Sequence, residues 1–286
     1  MIIVTGATGQ LGRLVIDGLL DAGVPADGIV AAVRSPQKAA DLTARGVEVR
    51  EADYNRPETL ASAFAGASKV LLISSSEVGQ RVEQHRNAVA AAAASGAQLL
   101  AYTSILAADR SAMQLAGEHR ATEELVQAAG LPYTLLRNGW YVENYTGNLA
   151  TALAHGSVLG SAGEGRVAAA TRADFAAAAV AVLTTDGHQN RIYELGSDEA
   201  FTLGEYAAEL TRQTGKPIGY VDLSAADYTA ALAGAGLPEP FAALLADSDL
   251  GIARGELTTD SGDLSRLIGR PTTPLADAVK LALAAA

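Results

Sequence analysis

The sequence contains no cysteine, and this absence removes several kinds of chemistry at once. Disulfide bonds, thiolate metal sites and a cysteine nucleophile are all excluded in this chain of 286 residues. The histidines are only four and are scattered along the sequence, which does not suggest a ligand set. We therefore predict that the protein binds no metal.

Positive charge is also in short supply. The chain has 21 lysines and arginines against 32 aspartates and glutamates, which gives a formal net charge of −11. Nonspecific binding of nucleic acid depends on cationic side chains that neutralise phosphates, so we expect no nucleic-acid partner. An anionic cofactor would have to find its donors locally.

Long apolar runs are missing as well. No uninterrupted stretch approaches the length of a membrane span, so we expect no membrane insertion. The first predicted strand begins at Met1 and leaves no room for a signal peptide, which predicts a cytoplasmic protein. Homo-oligomer formation remains open at this point.

The first twelve residues carry the most informative pattern in the chain. A short apolar run rich in β-branched residues leads into Gly6, Gly9 and Gly12, and apolar residues at helical period follow from Leu11. This order predicts a strand, a tight turn and a helix. Such a turn directs free N–H groups to one point where the helix dipole favours an anion, so we predict a nucleotide pyrophosphate there. A turn without a ligand is the alternative.

Apolar strands and helical patterns alternate from this point onward. The alternation predicts an α/β fold, a Rossmann-type doubly wound parallel sheet with a smaller C-terminal α/β lobe. We predict a cofactor-binding domain over residues 1–150, with contributions from about 170–200. The lobe over residues 151–286 is expected to wall the substrate pocket without folding independently, and its glycine-rich start predicts a loop-rich connection.

Functional side chains are expected where the parallel strands end. Gly6, Arg34, Ser74, Ser104 and Asn138 all follow a predicted strand directly. In an open α/β sheet, the ligand lies in the crevice outside these carboxyl ends. The five positions therefore predict one trough that holds a cofactor.

Arg34 bears on the choice of cofactor. A site that selects NAD places an acidic residue at the end of the second strand, whereas a 2′-phosphate needs a cation there. The position holds Arg34, and Lys38 follows one helical turn after Ser35. This pattern predicts NADPH, the alternative being a solvated arginine at a helix start.

Several longer motifs resemble one known family. The segments are TGATGQLG at 5–12, LISSSEVGQR at 72–81, YTLLRNGWY at 133–141, ATRAD at 170–174 and LIGRPTT at 267–273. Together they resemble the NmrA-like branch of the short-chain dehydrogenase/reductase superfamily, and within it the bacterial NADPH-dependent quinone oxidoreductases of the second type. The resemblance spans nearly the whole chain and implies two-electron reduction of a quinone by NADPH without flavin.

The resemblance also implies a set of cofactor-binding residues. They comprise the glycine turn, the arginine after the second strand, the serine run, the segment after the sixth strand and one later arginine. These residues are Gly6, Ala7, Thr8, Gly9, Gln10, Leu11, Arg34, Ser74, Ser75, Ser76, Asn138, Gly139, Trp140, Tyr141, Val142, Glu143 and Arg172.

The usual catalytic acid of this superfamily is missing. Ser104 stands where the superfamily has its catalytic serine, but no Tyr-x-x-x-Lys pair occurs on the following helix. His119 is the nearest substitute there, and Tyr102 ends the fifth strand, so we take these two as candidate catalytic proton donors. The alternatives are a hydrogen-bonded or surface histidine and a tyrosine of the core.

The missing acid favours a quinone acceptor. Hydride addition turns an ordinary ketone into a strongly basic alkoxide, whereas a quinone becomes a stabilised phenolate. Positioning and electrostatics can then carry most of the acceleration. A redox-sensing regulator that binds dinucleotides without turnover remains an alternative, and an epimerase or dehydratase is disfavoured.

A cluster of aromatic residues and two pairs of carboxylates complete the predictions from the sequence. Trp140, Tyr141 and Tyr145 are concentrated aromatics that either stack on a quinone ring or simply bury area. The carboxylate pairs Glu123/Glu124 and Asp247/Asp249 are predicted to lie on solvated faces.

Overall fold

A computed structural model describes residues 1–285 of the chain, so Ala286, the last residue of the predicted lobe, lies outside the described residues. The first half alternates strands and helices. Its elements are β1 Ile2–Thr5, α1 Gln10–Asp21, β2 Ile29–Val33, α2 Ala40–Ala44, β3 Glu48–Glu51, α3 Pro57–Ala63, β4 Lys69–Leu72, α4 Arg81–Ala94, β5 Leu99–Ile105, α5 Gln114–Ala128 and β6 Tyr133–Asn138.

The second half adds shorter strands and more helices. Its elements are α6 Glu143–Thr146, α7 Leu149–His155, β7 Ser157–Gly160, β8 Arg166–Val167, α8 Arg172–Thr184, β9 Arg191–Leu195, β10 Phe201–Thr202, α9 Leu203–Thr214, β11 Gly219–Asp222, α10 Ala225–Gly234, α11 Glu239–Ala253, α12 Asp263–Ile268 and α13 Leu275–Ala285. Among residues 1–285, no helix combines the length and apolarity needed to cross a bilayer.

Seven parallel strands form the central sheet in the order β3-β2-β1-β4-β5-β6-β9. The chain runs outward from β1 through β2 to β3 and then returns to the other side of β1 with β4. The strand order therefore reverses between β1 and β4, which is where an open α/β sheet forms its ligand crevice. The predicted Rossmann-type fold is confirmed.

Helices cover both faces of this sheet. One apolar cluster joins α1 and α8 to the β1 side that carries Val4, and another joins α3, α4 and α5 to the side that carries Ile3. Because neighbouring strand residues point to opposite faces, a continuous apolar strand such as β2 is needed to fill both clusters. The shorter, more polar β3 lies at the sheet edge.

The C-terminal lobe has its own apolar cluster, built around Tyr206, Leu210 and Ile252. The sequence predicted a loop-rich connection after α7, but β7 forms there and pairs in parallel with β11. Gly160, one of the glycines behind that prediction, is instead the last residue of β7. A Cβ at this position would lie 2.9 Å from the Asp249 carboxylate, so the glycine permits close packing.

Two carboxylates predicted to be solvated are buried. Glu123 points into the protein and pairs with Arg137, so that interpretation was wrong. Asp249 is also buried, its Oδ2 accepts a hydrogen bond from the Ser161 N–H, and burial raises its pKa to about 6. Both residues lie on helices, and their side chains turn inward to partners on other elements of the fold.

Candidate cofactor site

The glycine turn has the geometry that an anion site requires. Gly6 has a φ of +58°, a conformation that favours glycine, and the Gly9 N–H closes the turn by donating to the Gly6 carbonyl at 2.8 Å. A Cβ on Gly12 would lie 2.7 Å from the Ala7 Cα, so the third glycine lets α1 approach the turn. The first N–H groups of α1 therefore face the crevice without a side-chain cap.

A groove of about 380 Å³ opens at the carboxyl ends of β1, β2 and β4. Most of the predicted phosphate and adenosine residues line it. These are Gly6, Thr8, Gly9, Gln10, Leu11, Arg34, Ser74, Ser75 and Ser76. Ala7 lies beneath the turn and is fully buried.

Arg34 and Lys38 both face the groove at the end of β2. The Arg34 guanidinium pairs across it with Glu77, Nη1 to Oε1 at 2.6 Å. Lys38 lies in the 3₁₀ turn that follows Ser35, where its N–H donates to the Ser35 carbonyl at 3.0 Å. Two cations thus stand where a phosphate attached to the adenosine ribose would need them.

Sequence reasoning missed part of the groove wall. Tyr54, Asn55, Glu77 and Gln84 also line it. The Tyr54 hydroxyl lies 2.6 Å from Thr5 Oγ1, which ties the loop after β3 to the end of β1. The signal for Tyr54 was available, because it comes shortly after a parallel strand, as Gly6, Arg34 and Ser74 do.

The loop after β4 is fixed from below by two buried side chains of α4. The Ser75 N–H donates to His85 Nε2 at 2.9 Å, and Arg81 Nε donates to the Ser75 carbonyl at 2.7 Å. Burial, together with the charge of Arg81, lowers the pKa of His85 to about 3. A neutral His85 accepts from Ser75 while its Nδ1 bonds Thr122 Oγ1 at 2.9 Å. The serine run is therefore held in one conformation.

Asn138, the last residue of β6, and the predicted residues that follow it do not line the groove. Asn138 is buried, and its Oδ1 has no hydrogen-bond partner among residues 1–285. A buried acceptor without a partner is costly, so this atom points to a missing donor such as a carboxamide. Gly139 donates to the Leu195 carbonyl at 2.7 Å, which joins this corner to β9.

The segment after Gly139 packs against the start of α8. The backbones of Trp140 and Val142 pair with Ala170, at 3.1 and 3.0 Å respectively. Glu143 accepts from the Arg172 N–H at 2.9 Å, and the Arg172 guanidinium lies 4.7 Å from the centre of the Tyr141 ring. The structure thus brings residues 139–143 and Arg172 together, as one wall beside Asn138.

The two predicted proton donors form a buried pair. The Tyr102 hydroxyl lies 2.8 Å from His119 Nδ1, and the residues are 0% and 5% exposed. Burial, reinforced by the charge of Arg81, lowers the pKa of His119 well below its usual value. Neither side chain lines the groove. Their catalytic roles remain predictions, and this geometry counts against them.

Replacing Tyr102 with phenylalanine separates the two roles. Loss of the hydroxyl leaves His119 Nδ1 without its partner, and we expect the free energy of unfolding to fall by about 1–2 kcal/mol. Because the pair is enclosed, the activity expected from the sequence, oxidation of NADPH by a quinone, should keep its kcat within about threefold. Urea denaturation and steady-state kinetics check both, with the more exposed Tyr133→Phe as control. A fall in kcat of about a hundredfold at unchanged stability would restore the proton-donor role.

Ser104 is engaged elsewhere in the interior. Its hydroxyl donates to Glu123 Oε1 at 2.6 Å, and the same carboxylate receives the Arg137 guanidinium at 2.7 Å. Arg137 also pairs with Glu194 at 2.8 Å and with Asp109 at 2.9 Å. The serine position of the superfamily is therefore part of an ion-pair network.

Within residues 1–285, no cluster of three or more His, Asp or Glu side chains is arranged to hold a metal.

The comparisons with known proteins identify a family. Residues 6–186, more than half of the chain, match a family described as NAD(P)H-binding. Quinone oxidoreductase 2 of Escherichia coli is 54% identical over 279 residues, which cover 98% of this chain and 97% of that protein. A solved structure of an NADPH-dependent quinone oxidoreductase from Escherichia coli, complexed with NADPH, aligns with a TM-score of 0.96 over 99% of this chain and 100% of that chain.

Two further relatives extend the comparison. A triphenylmethane reductase from Citrobacter sp., solved with NADP(H), is 43% identical with a TM-score of 0.94 and covers 99% of this chain and 100% of that chain. An NmrA-like family domain-containing oxidoreductase from Aspergillus flavus is 29% identical and covers 97% of this chain and 93% of that protein. The resemblance stated from the sequence is confirmed.

Proposed function

The chain belongs to the NAD(P)H-binding family, and from this premise we propose that it is a flavin-free NADPH:quinone oxidoreductase. The observation that carries the proposal is the 54% identity to Escherichia coli quinone oxidoreductase 2 over nearly the full length of both chains. When bound, the reduced nicotinamide supplies a hydride that, with one proton, converts a quinone into its quinol.

The residues of the groove fit NADPH. The uncapped N-terminus of α1 would hold the pyrophosphate, because its free N–H groups face the groove. Arg34 and Lys38 would hold the 2′-phosphate. The orphaned Oδ1 of Asn138 would accept from the nicotinamide carboxamide and so orient the ring.

The interior of the protein favours an acceptor that needs little acid catalysis. Ser104 donates to Glu123, and the Tyr102–His119 pair is enclosed. An alkoxide formed from a ketone would have no acidic side chain positioned to protonate it. A quinol anion is stable enough to be protonated after the hydride transfer. The chain would then contribute mainly position and a water-poor wall formed by residues 139–143.

The relatives bear on the breadth of substrates. The Escherichia coli and Citrobacter proteins are named for quinones and for triphenylmethane dyes. Both acceptors are conjugated and short of electrons, and we propose a quinone as the substrate class for this chain. Cytoplasmic location and self-association remain proposals, the latter testable by light scattering on the purified protein.

The test is the oxidation of NADPH by the purified, flavin-free protein with a simple benzoquinone or naphthoquinone. We expect rapid turnover with NADPH and a clearly lower kcat/KM with NADH, because only NADPH uses the cations at the end of β2. An absorption spectrum without flavin bands is the control. Saturable binding of NADPH without turnover of any quinone would contradict the proposal and support a redox sensor.

A further inference from the structure

The Arg34–Glu77 ion pair crosses the groove that the glycine turn also lines. Arg34 follows β2 and Glu77 lies in the loop after β4, and these two strands flank β1 on either side. Nη1 of Arg34 and Oε1 of Glu77 are 2.6 Å apart, with the side chains 67% and 34% exposed. The pair therefore spans the place where the adenosine end of a dinucleotide enters.

Glu77 is anchored independently of Arg34. Its second carboxylate oxygen accepts from Gln84 Nε2 at 2.8 Å, and its own N–H donates to Ser75 Oγ at 3.1 Å. Gln84 is buried, and its Oε1 has no partner among the described residues. The hydrogen bond from Gln84, followed by the one from Arg34, lowers the pKa of Glu77. A fixed carboxylate thus faces the cation predicted to bind the 2′-phosphate.

We propose that Glu77 is a specificity-determining residue that competes with the 2′-phosphate for Arg34. This inference rests on the proposed use of NADPH. In the free protein the Arg34 guanidinium pairs with Glu77, and this ion pair must break before the 2′-phosphate of NADPH can bind Arg34. Part of the free energy gained from the phosphate contact then offsets the lost ion pair with Glu77, which weakens the complex. NADH makes no such exchange, so the penalty falls on NADPH and NADP⁺ alone.

The competition has a consequence for turnover. Glu77 can take Arg34 back when the oxidised product leaves, because NADP⁺ carries the same 2′-phosphate as NADPH. Product release limits kcat in many enzymes. A carboxylate at this position would therefore exchange affinity for a faster release of product.

Direct binding measurements test the proposal without any quinone. NADPH and NADH are titrated by nicotinamide fluorescence into the wild type, Glu77→Gln, Arg34→Ala and the double variant. We expect Glu77→Gln to tighten NADPH about fivefold, near the upper range of exposed ion pairs, and to leave NADH within about twofold. In the Arg34→Ala background the same substitution should gain less than about twofold, because no guanidinium is released.

Glu83→Gln is the matched control, since it removes one carboxylate that pairs with Arg86 on α4 outside the groove. It should leave both affinities unchanged. Displacement by adenosine 2′,5′-bisphosphate and by 5′-AMP isolates the phosphate, and only the former should bind Glu77→Gln more tightly. Thermal unfolding verifies that each variant is folded.

Four results would overturn the inference. Weaker binding of both cofactors by Glu77→Gln would make the ion pair a clasp that closes over the adenosine. An equal gain for NADPH and NADH would remove the link to the 2′-phosphate, and a gain that persists without Arg34 would show simple repulsion. A wild type that binds neither cofactor would defeat the proposed function itself, whereas binding with no effect of Glu77→Gln defeats this inference alone.

Discussion

Arg34→Ala raises the KM for NADPH by about 10- to 100-fold, the range expected for one charge-assisted hydrogen bond to a phosphate. Arg34 stands at the end of β2, faces the groove and pairs with the carboxylate of Glu77. NADH has no 2′-phosphate, so its KM should change by less than about twofold. Steady-state kinetics with each cofactor at a fixed, saturating quinone concentration provides the measurement.

The ratio of the change in KM for NADPH to the change in KM for NADH shows whether Arg34 acts on the 2′-phosphate. Lys38 remains in the groove and keeps part of the affinity, so binding of NADPH should weaken without being abolished. Arg56→Ala is the control, because Arg56 pairs with Glu51 and Glu58 outside the groove. Equal losses for NADPH and NADH would mean that Arg34 supports the loop around the cofactor and does not read the phosphate.

Arg137→Met lowers the free energy of unfolding by about 3–5 kcal/mol, the cost of breaking a buried ion pair from one side. Arg137 and Glu123 are 6% and 5% exposed, and two guanidinium nitrogens contact the carboxylate at 2.9 and 2.7 Å. Without Arg137, the Ser104 hydroxyl would be the one remaining side-chain donor to the buried Glu123 carboxylate among residues 1–285. Urea denaturation at neutral pH measures the loss.

A second substitution distinguishes unpaired charge from lost packing. Replacing Glu123 with leucine in the Arg137→Met protein removes the stranded carboxylate, and most of the stability should return. Glu194 keeps a hydrogen bond to the Ala107 N–H at 2.8 Å in both variants. A single variant within about 1 kcal/mol of the wild type, or a double variant that is less stable than the single one, would contradict the assignment.

Local sequence signals predicted the part of the site that local geometry builds. The turn requires glycine at position 6, and the close approach of α1 to that turn requires glycine at position 12. Both causes lie within the first twelve residues of the chain. Arg34 and Ser74 follow strands whose apolar runs are visible in the sequence. Because carboxyl ends of parallel strands share one edge of the sheet, no knowledge of the tertiary structure was needed to bring these positions together.

Long-range partners account for what the sequence did not predict. In the sequence, Glu123 looks like a solvated helix residue, but β6 places Arg137 next to it. Asp249 looks solvated as well, but the residue after β7, Ser161, donates its N–H to the Asp249 carboxylate. His119 shows the same effect, because Tyr102 encloses it from the neighbouring strand. Polar residues of amphipathic helices carry no local mark of such partners, so their burial had to come from the structure.

The central claim is that hydride passes directly from NADPH to a quinone on a protein without flavin. A single-turnover reaction with one equivalent of quinone tests it most directly. The loss of nicotinamide absorbance monitors the reaction. NADPH carrying deuterium on one face of C4 is compared with its epimer and with unlabelled NADPH. We predict one exponential phase, slowed by deuterium in only one epimer, because we expect residues 138–143 and Arg172 to fix which face of the ring meets the acceptor. No loss of NADPH until flavin is added, or an equal isotope effect from both epimers, would contradict this account.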